Sequence, residues 1–304
     1  MHLGQIGSRV SLESLIKIGV SQKLMSSSCC HSVCCCPPNL SRTLGMLGGY
    51  TWRVDVDESA QKISVIVYLF MSCTRTIDLP NGKATISMQS GMPWKGETVW
   101  EMEAPEGWTW EVTVPAPRYA ANVQVSNISF LDRPTNGDLS CCVSWLQVTP
   151  RAQTAADGFV KFTSESCSRA TSTMDLPVRL LSSHPSTGQD TLTVTRGPIV
   201  YVAEDTDNDH IEATYPHFEN LAITENATLE TRGLDIRGHQ LVGVTVTSGL
   251  HVLGEESNDL WRAVGDGTTA RGWKPIDGKL EYVPWFARAN RGGRGHVRVS
   301  LQRA

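Results

Sequence analysis

No apolar stretch in the 304 residues approaches the roughly 20 that a membrane-spanning helix requires. The opening residues, MHLGQIGSRVSLESLIKIGVSQKLM, lack the charged region, apolar block and small-residue cleavage site of a secretory signal. A cytoplasmic location is the expectation from the chain as written. Runs of basic residues are missing too, and 27 Lys and Arg against 31 Asp and Glu leave a formal charge of −4. That balance excludes the electrostatic footprint of a nucleic-acid partner. With 40% apolar and 19% charged residues, 26 glycines and 15 prolines, the composition is far from collagenous, acidic-disordered or coiled-coil extremes. A chain this long can bury a core without needing a disulfide or metal to fold.

Long amphipathic helices are scarce as well. Ser11 is placed to cap a short helix through Lys23, weakened by Gly19. A second helical stretch puts Leu40, Leu44 and Leu47 on one face and closes at Gly48 and Gly49. From Tyr50 the period becomes two. Tyr50, Trp52, Val54 and Val56 alternate, then Ile63, Val65, Val67 and Leu69, Ile86 and Met88, Trp100 and Met102, and Trp108, Trp110, Val112 and Val114. These runs, with Val123, Val125, Val160 and Phe162, are expected to face inward between packed antiparallel sheets. A second β-rich series follows through Leu192, Val194, Ile199, Val202, Val242, Val244, Val246, Leu280 and Tyr282, with polar linkers expected around Asp205–His210 and Thr224–Arg232.

The expected fold is mainly β: a helical segment over 1–49, a β-sandwich over 50–185 and a second β-sandwich over 186–304. Residues 129–157 lack periodicity and are expected to be an irregular insertion.

Nine cysteines are unevenly spread, five of them between Cys29 and Cys36. Three readings of the cluster stand side by side. Cys30, Cys34 and Cys36 with His31 make a zinc set of imperfect spacing; Cys35, just before a helical stretch, is a nucleophile candidate; and an inert thiol cluster is the plainest alternative. Elsewhere Asp205, Asp207 and Asp209 alternate as a calcium site or, more ordinarily, a solvated acidic turn. Trp100, Trp108 and Trp110 read as core rather than sugar platform, while Trp94 and Trp285 are less regular. His184, before Pro185, reads as structural, and Glu97 and Glu103 as exposed strand residues.

The stretch CCPPN at Cys35–Asn39, followed by the leucine helix and Gly49-Tyr50, resembles the signature of glycoside hydrolase family 127, the β-L-arabinofuranosidase family. The resemblance continues through SGMPWKGETVWEME at 90–103, GFVKF at 158–162, MDLPVRLLSSHP at 174–185, VTRGPIVYVAEDTDN at 194–208 and FARANRGG at 286–293. It implies an exo-acting retaining hydrolase of O-glycosyl bonds in carbohydrate metabolism, with an (α/α)6 catalytic barrel followed by β-sandwich domains, acting on an L-arabinofuranoside-containing glycan. Residues 1–49 would then be a remnant of that barrel. The resemblance further implies Cys35 as nucleophile, Cys36 as a Zn²⁺ ligand, and zinc also bound by the Cys35 thiolate, while a glutamate from an earlier barrel segment protonates the leaving oxygen.

Two more zinc ligands, a glutamate and a cysteine two residues apart, belong to those same earlier segments. Upstream of Cys34 the only acidic residue is Glu13, and no Glu-x-Cys occurs. The chain therefore reads as the C-terminal part of such an enzyme, inactive on its own. A noncatalytic β-sandwich accessory or carbohydrate-binding protein is the alternative. Arg118, Tyr119 and Arg288 depart from the aromatic residues that the family tends to carry at those steps.

Overall fold

A computed structural model describes residues 45–130, 153–154, 158–165, 167–215, 220–253, 273–288 and 291–304. The cysteine cluster, including Cys35 and Cys36, and the pair Cys141-Cys142 lie outside these residues. The chain divides into two compact units between Leu176 and Pro177.

In the first unit a short helix, α1 (45–51), delivers the chain to the first strand, and the Thr51 hydroxyl donates to the Leu47 carbonyl at 3.1 Å. Two five-stranded sheets follow. One has the order β1-β2-β6-β9-β8, formed by Trp52–Asp57, Lys62–Val67, Thr109–Pro115, Phe159–Ser164 and Gln153–Thr154. The other has the order β3-β4-β5-β10-β7, formed by Cys73–Leu79, Gly82–Ser90, Glu97–Glu103, Cys167–Asp175 and Ala121–Phe130. All pairings are antiparallel except β2 with β6, where Ile63 lies beside Trp110 in parallel register.

The inward faces of both sheets share one apolar core. Ile63, Val65, Val67, Trp110, Val112, Val114, Val160 and Phe162 come from the first sheet, and Ile86, Met88, Trp100, Met102 and Val125 from the second. Because side chains alternate across a strand, the period-two runs in the sequence become these two facing surfaces. Trp100 and Trp110 have no exposed surface, and the Trp100 indole donates to the Ser172 hydroxyl at 3.0 Å, so its one polar atom is satisfied where it is buried. Trp108 donates to the Asn81 side-chain carbonyl at 2.9 Å.

Three residues expected inside are outside: Tyr50, Val56 and Leu69 are exposed. Tyr50 belongs to α1, Val56 lies at the far end of edge strand β1, and Leu69 follows the end of β2, where Tyr68 and Leu69 both donate backbone N–H groups to the Thr51 carbonyl. Alternation continues in the sequence past the point where the strand stops. The irregular stretch 129–157 also contributes more than expected at its ends. β7 runs through Phe130, and β8 pairs Gln153 and Thr154 with Lys161 and Val160 of β9; residues 131–152 and 155–157 lie outside the description.

The second unit is a single nine-stranded sheet. Its strands are β11 (Val178–Ser182), β12 (Thr191–Arg196), β13 (Ile199–Glu204), β14 (Leu221–Ile236), β15 (His239–Leu253), β16 (Trp273–Pro275), β17 (Leu280–Pro284), β18 (Val297–Arg298) and β19 (Ser300–Arg303). They run in the order β11-β12-β19-β14-β15-β17-β13-β18, with β16 on β15. β12 also pairs with β13, so the path from β12 through β19, β14, β15, β17 and β13 returns to its start and the sheet closes. Gly197, at φ 53°, and Pro198 form the tight hairpin that makes the closure, with glycine where a side chain would be strained.

Leu192, Val194, Tyr201, Leu221, Ile223, Val244, Val246, Leu280, Tyr282 and Leu301 fill the inside. Val202, Val283, Leu234, Ile236 and Ala287 form a smaller apolar cluster. Both units are thus mainly β, and in the second the layers are portions of one closed sheet. The division at 176/177, rather than the expected 185/186, follows from pairing: Val178–Ser182 is antiparallel to Thr191–Arg196 and belongs to the second sheet.

Residues 224–232, expected as a linker, lie within β14. The middle of this strand is mostly exposed or half-buried, so burial imposes no apolar alternation there. Arg237 and Gly238, both at positive φ, turn β14 into β15.

Candidate functional site

Two of the sequence motifs singled out above, 194–208 and 286–293, meet in the second unit. β13 ends at Glu204 and runs into a 3₁₀ turn, Asp205–Asp207, then Asn208 and the short helix α2 (Asp209–Thr214). The returning segment 291–296 lies against them. Glu204, Asp205 and Glu212 are buried, and an unpaired buried carboxylate would be costly, so each needs a partner.

Arg291 supplies the first. Its guanidinium donates to both Asp207 oxygens, at 2.6 Å to Oδ1, and also to Glu204 Oε2. The Asp207 hydrogen bonds, opposed by desolvation and reinforced by those of Glu204, hold the Arg291 charge firmly in place and raise its pKa. Arg294 donates its backbone N–H to Asp205 and its guanidinium to Glu212, while Glu212 Oε1 lies 2.8 Å from His296 Nδ1. Asp205 Oδ1 also accepts from the Thr206 N–H at 2.9 Å, and the Asp205 N–H donates to the His296 carbonyl at 3.0 Å.

Two neutral features fix the fit. Gly293, at φ 87°, passes so close over Asp205 that a Cβ there would come within 2.6 Å of its Oδ1 and 2.3 Å of Thr206 Oγ1. Any side chain would push the segment off the turn. Asn208 is fully buried; its amide donates to the Glu204 and Glu281 carbonyls at 2.7 and 3.0 Å and accepts from the Glu281 N–H at 2.8 Å, which ties the turn to β17.

This arrangement is a fastening. Its carboxylates are engaged by cations or backbone N–H groups, so the reading of Asp205, Asp207 and Asp209 as a calcium set is overturned: Asp205 faces backbone donors, Asp207 faces Arg291, and Asp209 is exposed. Glu204, Asn208, Glu212, Arg291, Arg294 and His296 were not singled out from sequence. Their signal lay in the pairing of an acidic stretch with an Arg-rich one some 84 positions later, a separation that no local pattern joins.

The other candidates fall as follows. Trp285 is exposed at 41%, with the Arg288 guanidinium 4.1 Å from its ring centroid, so the departure at 288 covers an indole with a stacked cation. Trp94 is half-buried in the turn after β4. His184 accepts from the Ser186 N–H at 3.2 Å and caps the turn Pro185–Thr187, a structural role. Glu97 and Glu103 are exposed strand-end residues, as expected. Arg118 is exposed, while Tyr119 is half-buried and its phenol is pushed up by burial.

Cys35 and Cys36 lie outside the described residues. Among the described residues, no group of three or more His, Cys, Asp or Glu could hold a metal, and Cys73 and Cys167 are separate free thiols. Burial pushes the Cys73 thiol up to about 11, the opposite of what a nucleophile or zinc ligand needs. Zinc therefore has no fit among these residues. Also among the described residues, no helix is long and apolar enough to cross a membrane.

No curated protein matches the chain. Among solved structures, a family 127 β-L-arabinofuranosidase from Geobacillus stearothermophilus T6 is similar with a TM-score of 0.66 and 20% identity, over 89% of this chain and 37% of that one. A protein described as a glycoside hydrolase gives 0.64 and 21%, over 90% and 40%. A family 127 β-arabinofuranosidase gives 0.59 and 21%, over 89% and 38%. At such identities the likeness is one of fold, and the chain spans about two-fifths of the length of these structures. Residues 178–302 match the glycoside hydrolase family 127 C-terminal domain. Residues 178–302, the closed sheet fastened by Arg291 and Arg294, are therefore homologous to the C-terminal domain of glycoside hydrolase family 127.

Proposed function

We propose that these residues are the β-rich C-terminal part of a β-L-arabinofuranosidase-type hydrolase acting on O-glycosyl bonds of L-arabinofuranoside-containing glycans, and that alone they do not catalyse. The observation that carries the reading is the match of 178–302 to the family's C-terminal domain; the fold likeness to about two-fifths of solved family members supports it. A cytoplasmic site of action belongs to the same proposal.

In it, Cys35 is the nucleophile and Cys36 a zinc ligand of the intact enzyme, each carried over from the CCPPN stretch. Zinc, where bound, keeps such a thiolate deprotonated. Retaining hydrolysis also needs an acid/base across the sugar from the nucleophile. The buried carboxylates described above are committed to Arg291, Arg294, His296 and backbone donors, and Glu97 and Glu103 stand at exposed strand ends. None is free to serve as that acid.

The test incubates reduced, zinc-supplied protein with an aryl β-L-arabinofuranoside beside Cys35→Ala. The expected result is no turnover in either. Turnover in the parent that disappears in Cys35→Ala would overturn the inactivity of the isolated chain.

A further inference from the structure

A cavity of about 1030 Å³ opens in the second unit, lined in part by Val297 and Arg298, which follow the fastening segment 291–296 and pair with Glu204 and Ala203. Residues 297–300 with 302 and 303 line one side, and 188–191, Asn220 and Trp273 complete the lining. Its chemistry is mixed: one indole (Trp273), amide side chains (Gln189, Asn220), a carboxylate (Asp190) and two guanidiniums (Arg298, Arg303).

The two arginines differ. Arg303 is paired, its Nε 2.8 Å from Asp190 and its Nη1 2.7 Å from Glu225, so its charge is already balanced. Arg298, also in the lining, forms no ion pair among the described residues. A guanidinium in a cavity wall without a carboxylate of its own is open to an anion from outside the chain.

We propose that this cavity binds an oligosaccharide carrying a carboxylate, a uronate-containing glycan. A guanidinium matches a carboxylate in charge and in planar two-point geometry. Amide side chains both donate and accept, as sugar hydroxyls require. An indole offers an apolar face to the C–H face of a pyranose or furanose ring. A volume of this size suits a short oligosaccharide rather than a single small anion. One guanidinium without a counter-ion among the described lining residues favours a monoanionic carboxylate over a phosphate, which carries more charge and asks for more donors. The proposal takes its carbohydrate setting from the function proposed above, but it concerns binding rather than hydrolysis, so the arabinofuranoside assay can fail or succeed without touching it.

The test is isothermal titration calorimetry of the full chain with a short oligogalacturonate, a neutral arabino-oligosaccharide and free galacturonate. Expected is saturable binding of oligogalacturonate that weakens with added salt, at least tenfold tighter than the neutral oligosaccharide and than the free monomer. Arg298→Gln should lower the oligogalacturonate affinity at least tenfold and leave the weak neutral binding unchanged, with Arg298→Lys between. Trp273→Ala should weaken both oligosaccharides, and circular dichroism confirms that each variant is folded. No saturable binding of oligogalacturonate, equal affinity for the neutral oligosaccharide, equal affinity for the monomer, or indifference to Arg298→Gln would each overturn the proposal.

Discussion

The two units solve the same problem, a mainly β chain with an apolar interior, by different means. The first faces two sheets and fills the space with tryptophan, methionine and branched residues, with hydroxyls such as Ser90, Thr98 and Ser172 hydrogen-bonded among them. The second closes one sheet and fastens a turn and a returning segment with carboxylates and guanidiniums. The difference teaches where sequence identity is stored. An apolar face accepts many fillings of about the right volume, whereas a guanidinium fork on two carboxylates and a glycine crossing over Asp205 admit few. The family match covers 178–302, the unit with the demanding chemistry.

The largest expected effect breaks the first unit alone. Trp110→Ala removes a fully buried indole and should cost about 4–5 kcal/mol. Hydrogen–deuterium exchange should show the loss in peptides of β2, β6 and β9, with peptides of β13–β17 unchanged. Equal loss in both units would dissolve the comparison.

Arg291→Ala is the counterpart. It takes the guanidinium from Glu204 and Asp207 and should cost about 3–4 kcal/mol, visible in peptides spanning 200–212 and 291–303. Arg291→Lys, keeping charge but losing the fork, should fall between.

These two substitutions also measure what the sequence disclosed. Trp110 was legible as core, because a sheet with one buried face repeats every second residue and the repeat is visible without the fold. Arg291 was not. It sat inside a recognised motif, yet its partners lie 84 and 87 positions earlier, and only the closure of the sheet brings them together. The exposed ribbon of β14 is hidden from the sequence for a related reason, since a strand with little burial carries no periodic signature. Cys35 and Cys36 were legible only by resemblance, and they stand outside the described residues.

Alkaline pH sharpens the comparison next. In the first unit burial pushes the Cys73 thiol up to about 11 from 9.0; in the second, burial pushes the Tyr201 phenol, which donates to the Val242 carbonyl, up to about 12 from 10.0 and raises Tyr282 as well. Each folded state holds its proton more tightly than the unfolded chain, so the contribution is full below the unfolded value and is lost as pH rises through the folded one. From Cys73 and from Tyr201 this is roughly 2–3 kcal/mol each. Denaturant titrations should show the first unit weakening between pH 9 and 11 and the second between pH 10 and 12; the reverse order would contradict the burial that separates them.

The smallest effect tests the rim of the fastening. His296 is half exposed beside buried Glu212, which also has Arg294. His296→Gln retains a donor and should change stability by less than about 1 kcal/mol, with exchange at 204–212 close to the parent. A loss as large as that of Arg291→Ala would place the strength of the cluster on the wrong residue.

The position of β19 has a consequence for synthesis. It is the strand farthest along the chain, yet it lies between β12 and β14, and its Ser300 hydroxyl meets Thr193 across 107 residues. While a ribosome is still making residues 300–303, β12 and β14 each present an edge with free N–H and C=O groups, the template on which foreign strands add. Closing the ring also requires this long-range pairing, which topology makes slow. The unit is therefore most open to misassembly in the interval just before its final strand emerges, and whatever shields those two edges during that interval governs the yield of folded protein.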